Sequence, residues 1–296
     1  MGTKRRSLKI ALTADLHFGK RHSAGTEATL ELVAHLYEQP PDVLVLAGDI
    51  GAGDEFARCL DLFAALPCRK ALVPGNHDIW VNPSDARGDS LQVYQDVLPR
   101  LAAERGFHYL DRGPLILPEH NVAIAGSMNW YDYSWSIDAL PSAASDWEER
   151  LQTKRFLRGR HNDGNFVVWP RTDGSFTREV VEALTGHLDE ALSAVEHAIV
   201  VTHHPTFREL NYPAEEPFDL DALLWRAFSG NMLLEEALTQ RAQRIAFAFC
   251  GHTHYAREGN HAGIRGINIG GDYHFKRLLR LDWPRGNVEA IEFGKP

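Results

Sequence analysis

The stretch "KALVPGNHD" at residues 70–78 joins a short apolar run to a glycine and three polar side chains. Gly75 allows a sharp turn at the end of a strand, because glycine adopts backbone angles that other residues disfavour. The three residues that follow, Asn76, His77 and Asp78, offer an amide, an imidazole and a carboxylate in succession. An ordinary turn does not need all three groups, so this strand end is a candidate for chemistry.

Further apolar runs resemble that one in length and in their content of branched residues, and segments with helical periodicity alternate with them. Buried strands are predicted at 8–13, 42–48, 70–74, 121–126, 197–204 and 245–252, and helices near 26–38, 54–66, 89–105, 177–195 and 231–243. This alternation is typical of βαβ units around a buried sheet, which predicts an α/β fold. Strand candidates at 264–271, 276–283 and 288–293 have no helix between them. They predict an antiparallel portion that closes the fold.

Residues 127–175 interrupt the alternation. They lack a clear period and contain four of the seven tryptophans. A segment this long inside a compact domain is usually functional or disordered, and this one is too aromatic for disorder. We therefore expect one domain over residues 1–296, with 127–175 as an inserted, aromatic-rich cap.

Composition and charge narrow the range of partners and locations. The formal net charge of −9 gives no general attraction to nucleic acid or to anionic membranes. Three cysteines without metal-type spacing argue against a disulfide framework and for a reducing compartment. The apolar stretch near the N-terminus is short for a signal peptide, and no run approaches the length of a membrane span. These features predict a cytoplasmic protein without a membrane partner.

Five of the predicted strands end in side chains that bind metals. The candidates are Asp15, His17, Asp49, Asn76, His203, His252 and His254. Ligands of open α/β sheets bind beyond the carboxyl ends of the strands, so these side chains are expected to converge on one cleft. If the chain stays extended, residues two apart point the same way, which would aim Asp15 with His17 and His252 with His254 at one centre.

This set of ligands is too large for one metal ion of the usual kind. A zinc ion takes about four protein ligands, whereas two ions about 3.5–4 Å apart can share a bridging carboxylate. Imidazole, carboxylate and amide ligands without thiolate favour manganese, iron or zinc. The sequence therefore predicts two divalent or transition metal ions per chain.

Taken in order, these blocks resemble the calcineurin-like metallophosphoesterase superfamily. The blocks are Asp15-x-His17, Gly48-Asp49, Gly75-Asn76-His77-Asp78, His203 in "THHP" and Gly251-His252-x-His254. The resemblance implies a four-layer αββα sandwich of two mixed β-sheets flanked by helices. It also implies that Asp15, His17, Asp49 and His254 hold one metal. Asp49 would bridge to a second metal, which Asn76, His203 and His252 complete.

The resemblance also implies a reaction, the hydrolysis of a phosphate ester by a metal-bound hydroxide. His77 is not a ligand in this family and is expected to donate a hydrogen bond to a phosphoryl oxygen or a proton to the leaving group. Asp78 is expected either to support an imidazole from behind or to cap the following segment. His204 is expected to be a neighbour of the site rather than a ligand.

The substrate is expected to be a small phosphate ester. The protein Ser/Thr phosphatases carry Gly-Asp-x-x-Asp-Arg-Gly and Gly-Asn-His-Glu, whereas this chain has "GDIGAGD" and "GNHD", as in bacterial-type members. A small phosphodiester is favoured over a monoester. Tyr131, Asp132 and Tyr133 are candidate substrate contacts, although the aromatic residues could equally form the core of the cap. Arg155, Arg158 and Arg160 could bind a distal phosphate or form a solvated stretch.

Two alternatives keep the fold and change the function. A catalytically silent scaffold would bind a protein partner through the cleft, but such scaffolds tend to lose ligands or the catalytic histidine, and every position is filled here. A nuclease would favour a basic groove, of which the net charge gives no sign. The sequence predicts no oligomeric state.

Overall fold

The strands and helices are taken from a computed structural model, which describes residues 7–19 and 23–294. Residues 1–6, on which part of the signal-peptide argument depends, lie outside the described residues. The strands are β1 Leu8–Thr13, β2 Val43–Ala47, β3 Arg69–Val73, β4 Phe107–Tyr109, β5 Leu115–Leu117, β6 Val122–Ser127, β7 His197–Thr202, β8 Ile245–Cys250, β9 Arg257–His261, β10 Ile264–Asn268, β11 Lys276–Trp283 and β12 Asn287–Phe293. The helices are α1 Ser23–Glu38, α2 Asp54–Phe63, α3 Ser90–Gln92, α4 Leu98–Glu104, α5 Leu140–Ala143, α6 Trp147–Thr153, α7 Asp163–Phe166, α8 Asp173–Ala194, α9 Leu220–Ala227 and α10 Met232–Thr239.

The strands form two mixed six-stranded sheets. The order of the first is β12-β11-β1-β2-β3-β4, with β1 to β4 parallel and β11 and β12 antiparallel at one edge. The order of the second is β5-β6-β7-β8-β10-β9, in which β6, β7, β8 and β10 are parallel. Helices flank both sheets, so the predicted αββα sandwich is confirmed.

The two sheets pack face to face around a shared core. Ile10 and Leu12 of β1 lie in one buried cluster with Ile199 and Val201 of β7. Ala11, between the two β1 residues, belongs to the cluster that α1 and α2 form on the other face of the first sheet. Strands buried on both faces are continuously apolar, which is why the sequence shows runs rather than alternation.

The end of the chain differs in part from the expectation. β11 and β12 extend the first sheet in antiparallel order, as predicted. β10 instead joins the second sheet parallel to β8, and β9 lies at its edge. The sequence did not reveal β4, β5, β9 or α9. Periodicity needs more residues than the three of β4 or β5 provide, and β9 is largely polar.

Residues 127–175 have more regular structure than the sequence indicated. They contain α5, α6 and α7, each of seven residues or fewer. The side chains of Trp130 and Tyr131 are fully buried and pack against Phe176 of α8 and Phe228 after α9. The aromatic residues of this segment therefore contribute to a core. No helix of the described ranges has the length and apolar character needed to cross a membrane.

Asp111 connects this segment to the first sheet. Its Oδ1 accepts hydrogen bonds from the Tyr94 hydroxyl at 2.7 Å and from the Met128 N–H at 2.9 Å. Its Oδ2 is buried and accepts no hydrogen bond from the described residues. Burial raises the pKa of Asp111 from its usual value near 3.8 to about 6. The folded state therefore favours the protonated carboxyl group.

We expect Asp111→Asn to change how stability depends on pH. The raised pKa stabilises the folded wild type below pH 4, and this contribution is lost as pH rises through 6, whereas asparagine does not titrate. Between pH 4 and 7 the free energy of unfolding of the wild type should fall by about 2 kcal/mol relative to the variant, at ~1.36 kcal/mol per pKa unit. Urea unfolding at both pH values measures this, and a pH-independent difference would contradict it.

Candidate active site

The candidate site lies where the two sheets meet, at the carboxyl ends of five strands. Asp15 follows β1, Asp49 follows β2, Asn76 follows β3, His203 follows β7 and His252 follows β8. All five side chains are buried or nearly so, although they come from distant parts of the chain. The convergence expected from the strand ends is therefore present in the structure.

Half of the cluster consists of Asp15, His17 and His254. The His17 Nε2 and the His254 Nε2 face each other at 3.0 Å. The His254 Nε2 also lies 3.7 Å from the Asp15 Oδ1. One ligand atom from each of the three residues falls within 4.8 Å of the other two. This spacing is small enough for one cation to contact all three.

The other half consists of Asn76, His203 and His252, with Asp49 between the halves. The Asn76 Oδ1 lies 3.0 Å from the His203 Nε2 and 3.3 Å from the His252 Nδ1. The Asp49 Oδ1 lies 3.3 Å from the His203 Nε2, and its Oδ2 lies 3.6 Å from the His17 Nε2. Each oxygen of Asp49 thus faces a different half.

The backbone of the cluster is not extended as expected. Asp15, His17, Asp49, His252 and His254 all have positive φ angles, between 39° and 72°. Residues other than glycine rarely adopt this left-handed region, and such residues concentrate at functional sites. Left-handed turns, rather than the alternation of a strand, therefore aim Asp15 with His17 and His252 with His254.

The electrostatics of the cluster suit a bound cation. The Asp15 Oδ2 is buried and accepts no hydrogen bond from the described part of the chain, and burial raises the pKa of Asp15. Burial also opposes the ionisation of Asp49, but His203, His77 and His17 together outweigh it and hold the pKa of Asp49 well below its usual range. The pairing with Asp49 raises the pKa of His203 to about 9 against the effect of burial. Metal ions would supply the positive charge that a proton on His203 now provides.

Three glycines leave room for these side chains. A Cβ atom on Gly75 would lie 2.1 Å from the Asp49 Oδ1. A Cβ atom on Gly48 would lie 2.4 Å from the His203 Nδ1, and one on Gly251 would lie 2.7 Å from the Asp15 Oδ2. Real Cβ atoms do not approach so closely. The glycines that precede the polar residues are therefore required by close packing around the cluster.

A family model described as calcineurin-like phosphoesterase matches residues 8–256, which contain every residue of the cluster. The chain belongs to the calcineurin-like phosphoesterase family. This family uses a dinuclear metal centre, and the buried carboxylate and imidazole groups fit metal binding.

Several proteins resemble this family member over most of its length. The acyl-carrier-protein phosphodiesterase PptH of Mycobacterium tuberculosis is 24% identical over 289 residues, which cover 92% of this chain and 81% of that protein. The crystal structure of the phosphopantetheinyl hydrolase PptH matches with a TM-score of 0.71 and 22% identity over 91% of each chain. A dimetal phosphatase from Danio rerio matches with a TM-score of 0.56 and 15% identity, over 97% of this chain and 99% of that one. At these identities the structural matches show the shared fold.

His77 lies beside the cluster of this phosphoesterase, and its ring stacks on that of Trp80. The ring centroids are 3.5 Å apart at an interplanar angle of 25°. The His77 Nε2 lies 3.8 Å from the Asp49 Oδ2. Burial lowers the pKa of His77 to about 4 although Asp49 acts in the opposite direction. At neutral pH this imidazole is therefore uncharged and still carries one N–H donor.

Asp78 supports the backbone rather than an imidazole. Its Oδ1 accepts hydrogen bonds from the N–H groups of Ile50 and Gly51, at 2.8 and 2.9 Å. Its Oδ2 accepts a hydrogen bond from the Gly75 N–H at 2.7 Å. The two oxygens therefore connect the turn after β3 to the turn after β2. These contacts join Asp78 to backbone that precedes it, so they correspond neither to support of an imidazole nor to capping of the following segment.

His204 lies next to the cluster, as expected of a neighbour. It is fully buried, and its ring centroid lies 4.1 Å from that of His252. Burial lowers the pKa of His204 to about 3, so the ring is neutral.

The candidate substrate contacts Tyr131, Asp132 and Tyr133 do not line the cavities beside the cluster. Tyr131 is fully buried, and its hydroxyl donates a hydrogen bond to the Asp163 Oδ2 at 2.9 Å. Tyr133 donates to Asp173, and Asp132 accepts a hydrogen bond from the Ser134 N–H. Packing in the aromatic core leaves the Tyr131 side chain no exposed surface, which disfavours direct contact with a substrate.

The structure places three further residues at the site that the sequence analysis did not identify. Tyr273 lies with its ring centroid 4.3 Å from that of His17 and 4.9 Å from that of His254. Trp80 stacks on His77, and Asp163 accepts a hydrogen bond from Asn76. Trp80 follows "GNHD" by two residues, so proximity could have identified it. Tyr273 and Asp163 lie in segments whose sequence carries no such signal.

Two cavities have His77 in their walls. One, of about 710 Å³, extends past Phe18, Gly53 and Arg87. The other, of about 530 Å³, includes Asp49 and His254 and extends to the loop at 156–162 and to Tyr212. Both are lined by His77, Trp80, Asn162 and Tyr273. The cluster therefore lies where two cavities meet, rather than at the bottom of a single closed pocket.

We expect Gly75→Ala to reduce metal content and activity by more than tenfold, because the new Cβ atom would displace Asp49. Gly186→Ala in α8 is the matched control, since no atom lies within 4 Å of the added Cβ atom. In a helix this control should stabilise the protein by about 0.4–1 kcal/mol. Mass spectrometric measurement of bound metal in both variants makes the comparison, and full metal content in Gly75→Ala would contradict the steric argument.

Proposed function

We propose that this member of the family is a dimetal phosphodiesterase. Asp15, His17 and His254 would hold one metal ion, and Asn76, His203 and His252 the other, with Asp49 bridging them. The distances support this division, because each oxygen of Asp49 faces one half of the cluster. Manganese, iron and zinc all suit these nitrogen and oxygen ligands. When bound, such ions acidify water and stabilise the charge of a phosphoryl group.

His77 would contact the substrate rather than a metal. Its imidazole lines both cavities and lies beside the bridging carboxylate. The neutral ring can donate its N–H to a phosphoryl oxygen, and the negative charge of a bound phosphate would favour the protonated form that a leaving group needs. The stack with Trp80 limits the orientations of the ring.

The two cavities are the observation that supports a diester over a monoester. A phosphodiester carries two ester branches on one phosphorus atom, and a phosphorus atom at the cluster would have one cavity for each branch. A monoester would leave one of them without substrate. The proposal therefore assigns the 710 Å³ and 530 Å³ cavities to the two branches of one substrate.

The 530 Å³ cavity suits a branch with both apolar and anionic groups. Tyr212, Trp225 and Tyr255 line it with side chains that are 42–44% exposed, which is unusual for large aromatic residues. Arg158 lines the same cavity and offers a guanidinium group. Of the arginines considered as phosphate contacts, Arg160 also lines it but bonds to Thr153 and Asn165.

The relative PptH supports the same choice and widens the range of substrates. PptH is described as a phosphodiesterase whose substrate is an acyl-carrier protein. A substrate of that kind carries one branch of the diester on a protein. We therefore extend the proposed substrates from small phosphate esters to diesters carried by a protein.

Hydrolysis assays with Mn²⁺ test the proposal. We expect faster turnover of bis-p-nitrophenyl phosphate than of p-nitrophenyl phosphate, because only the diester fills both cavities. A phosphopantetheinylated carrier protein serves as a third substrate, with release of the phosphopantetheine group followed by mass spectrometry. A preference for the monoester would contradict the diester assignment, and inactivity on all three substrates with metal bound would favour the silent scaffold.

His77→Ala and Asp49→Asn should separate catalysis from metal binding. We expect His77→Ala to keep both metals and to lower kcat by about 10²–10⁴-fold, the usual contribution of general acid catalysis. Asp49→Asn should lose metal and activity together, because it removes the bridging charge. Metal analysis combined with steady-state kinetics measures both effects. Unchanged turnover in His77→Ala, or full metal content in Asp49→Asn, would contradict the assigned role.

A further inference from the structure

We propose that Asp163 is a positioning residue that orients a metal ligand and, through Trp80, the catalytic imidazole. It lies in the 127–175 segment, at the start of α7, and its side chain is fully buried. This inference rests on the proposed function, because it takes Asn76 as a ligand and His77 as the group that contacts substrate. Asp163 itself would touch neither metal nor substrate.

The carboxylate of Asp163 is surrounded by hydrogen-bond donors. Its Oδ1 accepts one hydrogen bond from the Asn76 Nδ2 at 2.9 Å and another from the Trp80 Nε1 at 2.8 Å. Its Oδ2 accepts a hydrogen bond from the hydroxyl of Tyr131 at 2.9 Å. A single oxygen thus contacts two residues of the stretch 76–80, which carries the proposed ligand and the proposed acid.

The contact with Asn76 decides which way its amide points. An amide offers an oxygen on one side and an NH₂ group on the other, whereas a carboxylate only accepts hydrogen bonds. The NH₂ group must therefore face Asp163, which leaves the Asn76 Oδ1 facing His203 and His252. That is the orientation in which Asn76 can ligate a metal, because only its oxygen binds a cation.

The hydrogen bond between Asp163 and Trp80 affects His77, on which Trp80 stacks. An indole N–H can only donate, so a hydrogen bond to Asp163 limits rotation of the Trp80 ring in its own plane and about its side-chain bonds. The Trp80 ring also stacks on that of His77, with ring centroids 3.5 Å apart. Trp80 therefore transmits the position of Asp163 to the imidazole that lines both cavities.

Backbone contacts fix the place of Asp163 relative to the stretch it orients. The Val81 N–H donates to the Phe166 carbonyl at 2.9 Å, and the Ser90 N–H donates to the Val168 carbonyl at 2.8 Å. The end of α7 is therefore connected directly to the chain that follows Trp80. The carboxylate is held from both sides, as a positioning group requires.

Asp173 is a matched control from the same part of the chain. Its carboxylate also accepts hydrogen bonds from three groups, which are the Trp130 indole at 2.8 Å, the Tyr133 hydroxyl and the Lys154 ammonium group. None of these donors belongs to the metal cluster or to residues 75–80. Loss of the Asp173 charge should therefore affect folding without altering the orientation of Asn76.

Calorimetric titration of the metal-free protein with Mn²⁺ measures the affinity for the metal, and so tests the effect on Asn76 without any substrate. We expect Asp163→Asn to weaken Mn²⁺ binding by about 10–100-fold, the usual cost of removing a group that orients a ligand. Asp173→Asn should bind Mn²⁺ as tightly as the wild type even if it lowers Tm. Equal Mn²⁺ affinity in Asp163→Asn and Asp173→Asn would overturn the proposal.

Trp80→Phe tests the proposed link from Asp163 through Trp80 to His77, because phenylalanine keeps a ring against His77 and removes the indole donor. We expect Mn²⁺ affinity to be retained while turnover of a phenyl diester falls more than that of a p-nitrophenyl diester, since a poor leaving group depends more on the acid. An unchanged ratio of the two rates would overturn the proposed role of Trp80. Weaker Mn²⁺ binding in Asp163→Asn, without hydrolysis of any ester by the wild type, would support the orientation of Asn76 and count against the proposed function alone.

Discussion

The rest of the site depends on the contacts that the carboxylate of Asp49 makes. This residue follows β2 of the first sheet, yet its Oδ1 lies 3.3 Å from an imidazole that follows β7 of the second sheet. The same oxygen accepts a hydrogen bond from the backbone N–H of His77 at 2.9 Å, and it has room to do so because Gly75 has no side chain. One buried negative charge thus holds two sheets and the "GNHD" turn in register. Buried charges persist only when paired, so the surrounding imidazoles are a physical requirement of this position.

The sequence predicted the elements whose signal is local. Buried parallel strands are visible as apolar runs, and the polar residues that end them could be read directly, which also revealed the family. The short strands β4 and β5 carry too few residues for a pattern. Asp15 and His252 hold left-handed conformations. Aspartate and histidine adopt this region more often than most other residues, but that preference is too weak to locate it in a sequence.

Asp163 illustrates the other limit of sequence reasoning. It is 87 residues from Asn76, and a buried aspartate in an irregular segment looks like any turn residue until the fold brings the two together. Tyr131 shows the same limit, because an aromatic residue buried behind the site has the same sequence pattern as one that contacts substrate. The strand ends supply the candidate ligands, while residues 127–175 supply cavity walls and support. Changes at the cavity walls of this segment, away from Asp163, can thus alter specificity while the ligands stay in place.

The left-handed backbone of the cluster links metal binding to the energetics of the whole fold. Five residues hold conformations that each cost on the order of 1–3 kcal/mol unless the surroundings compensate. They also crowd two carboxylates and several imidazoles away from water. Ions that bind only the folded chain draw the folding equilibrium toward it by mass action. The metal centre would then act as a thermodynamic clamp across the seam between the two sheets, and cellular metal supply would govern how much of the protein persists as well as how fast it works.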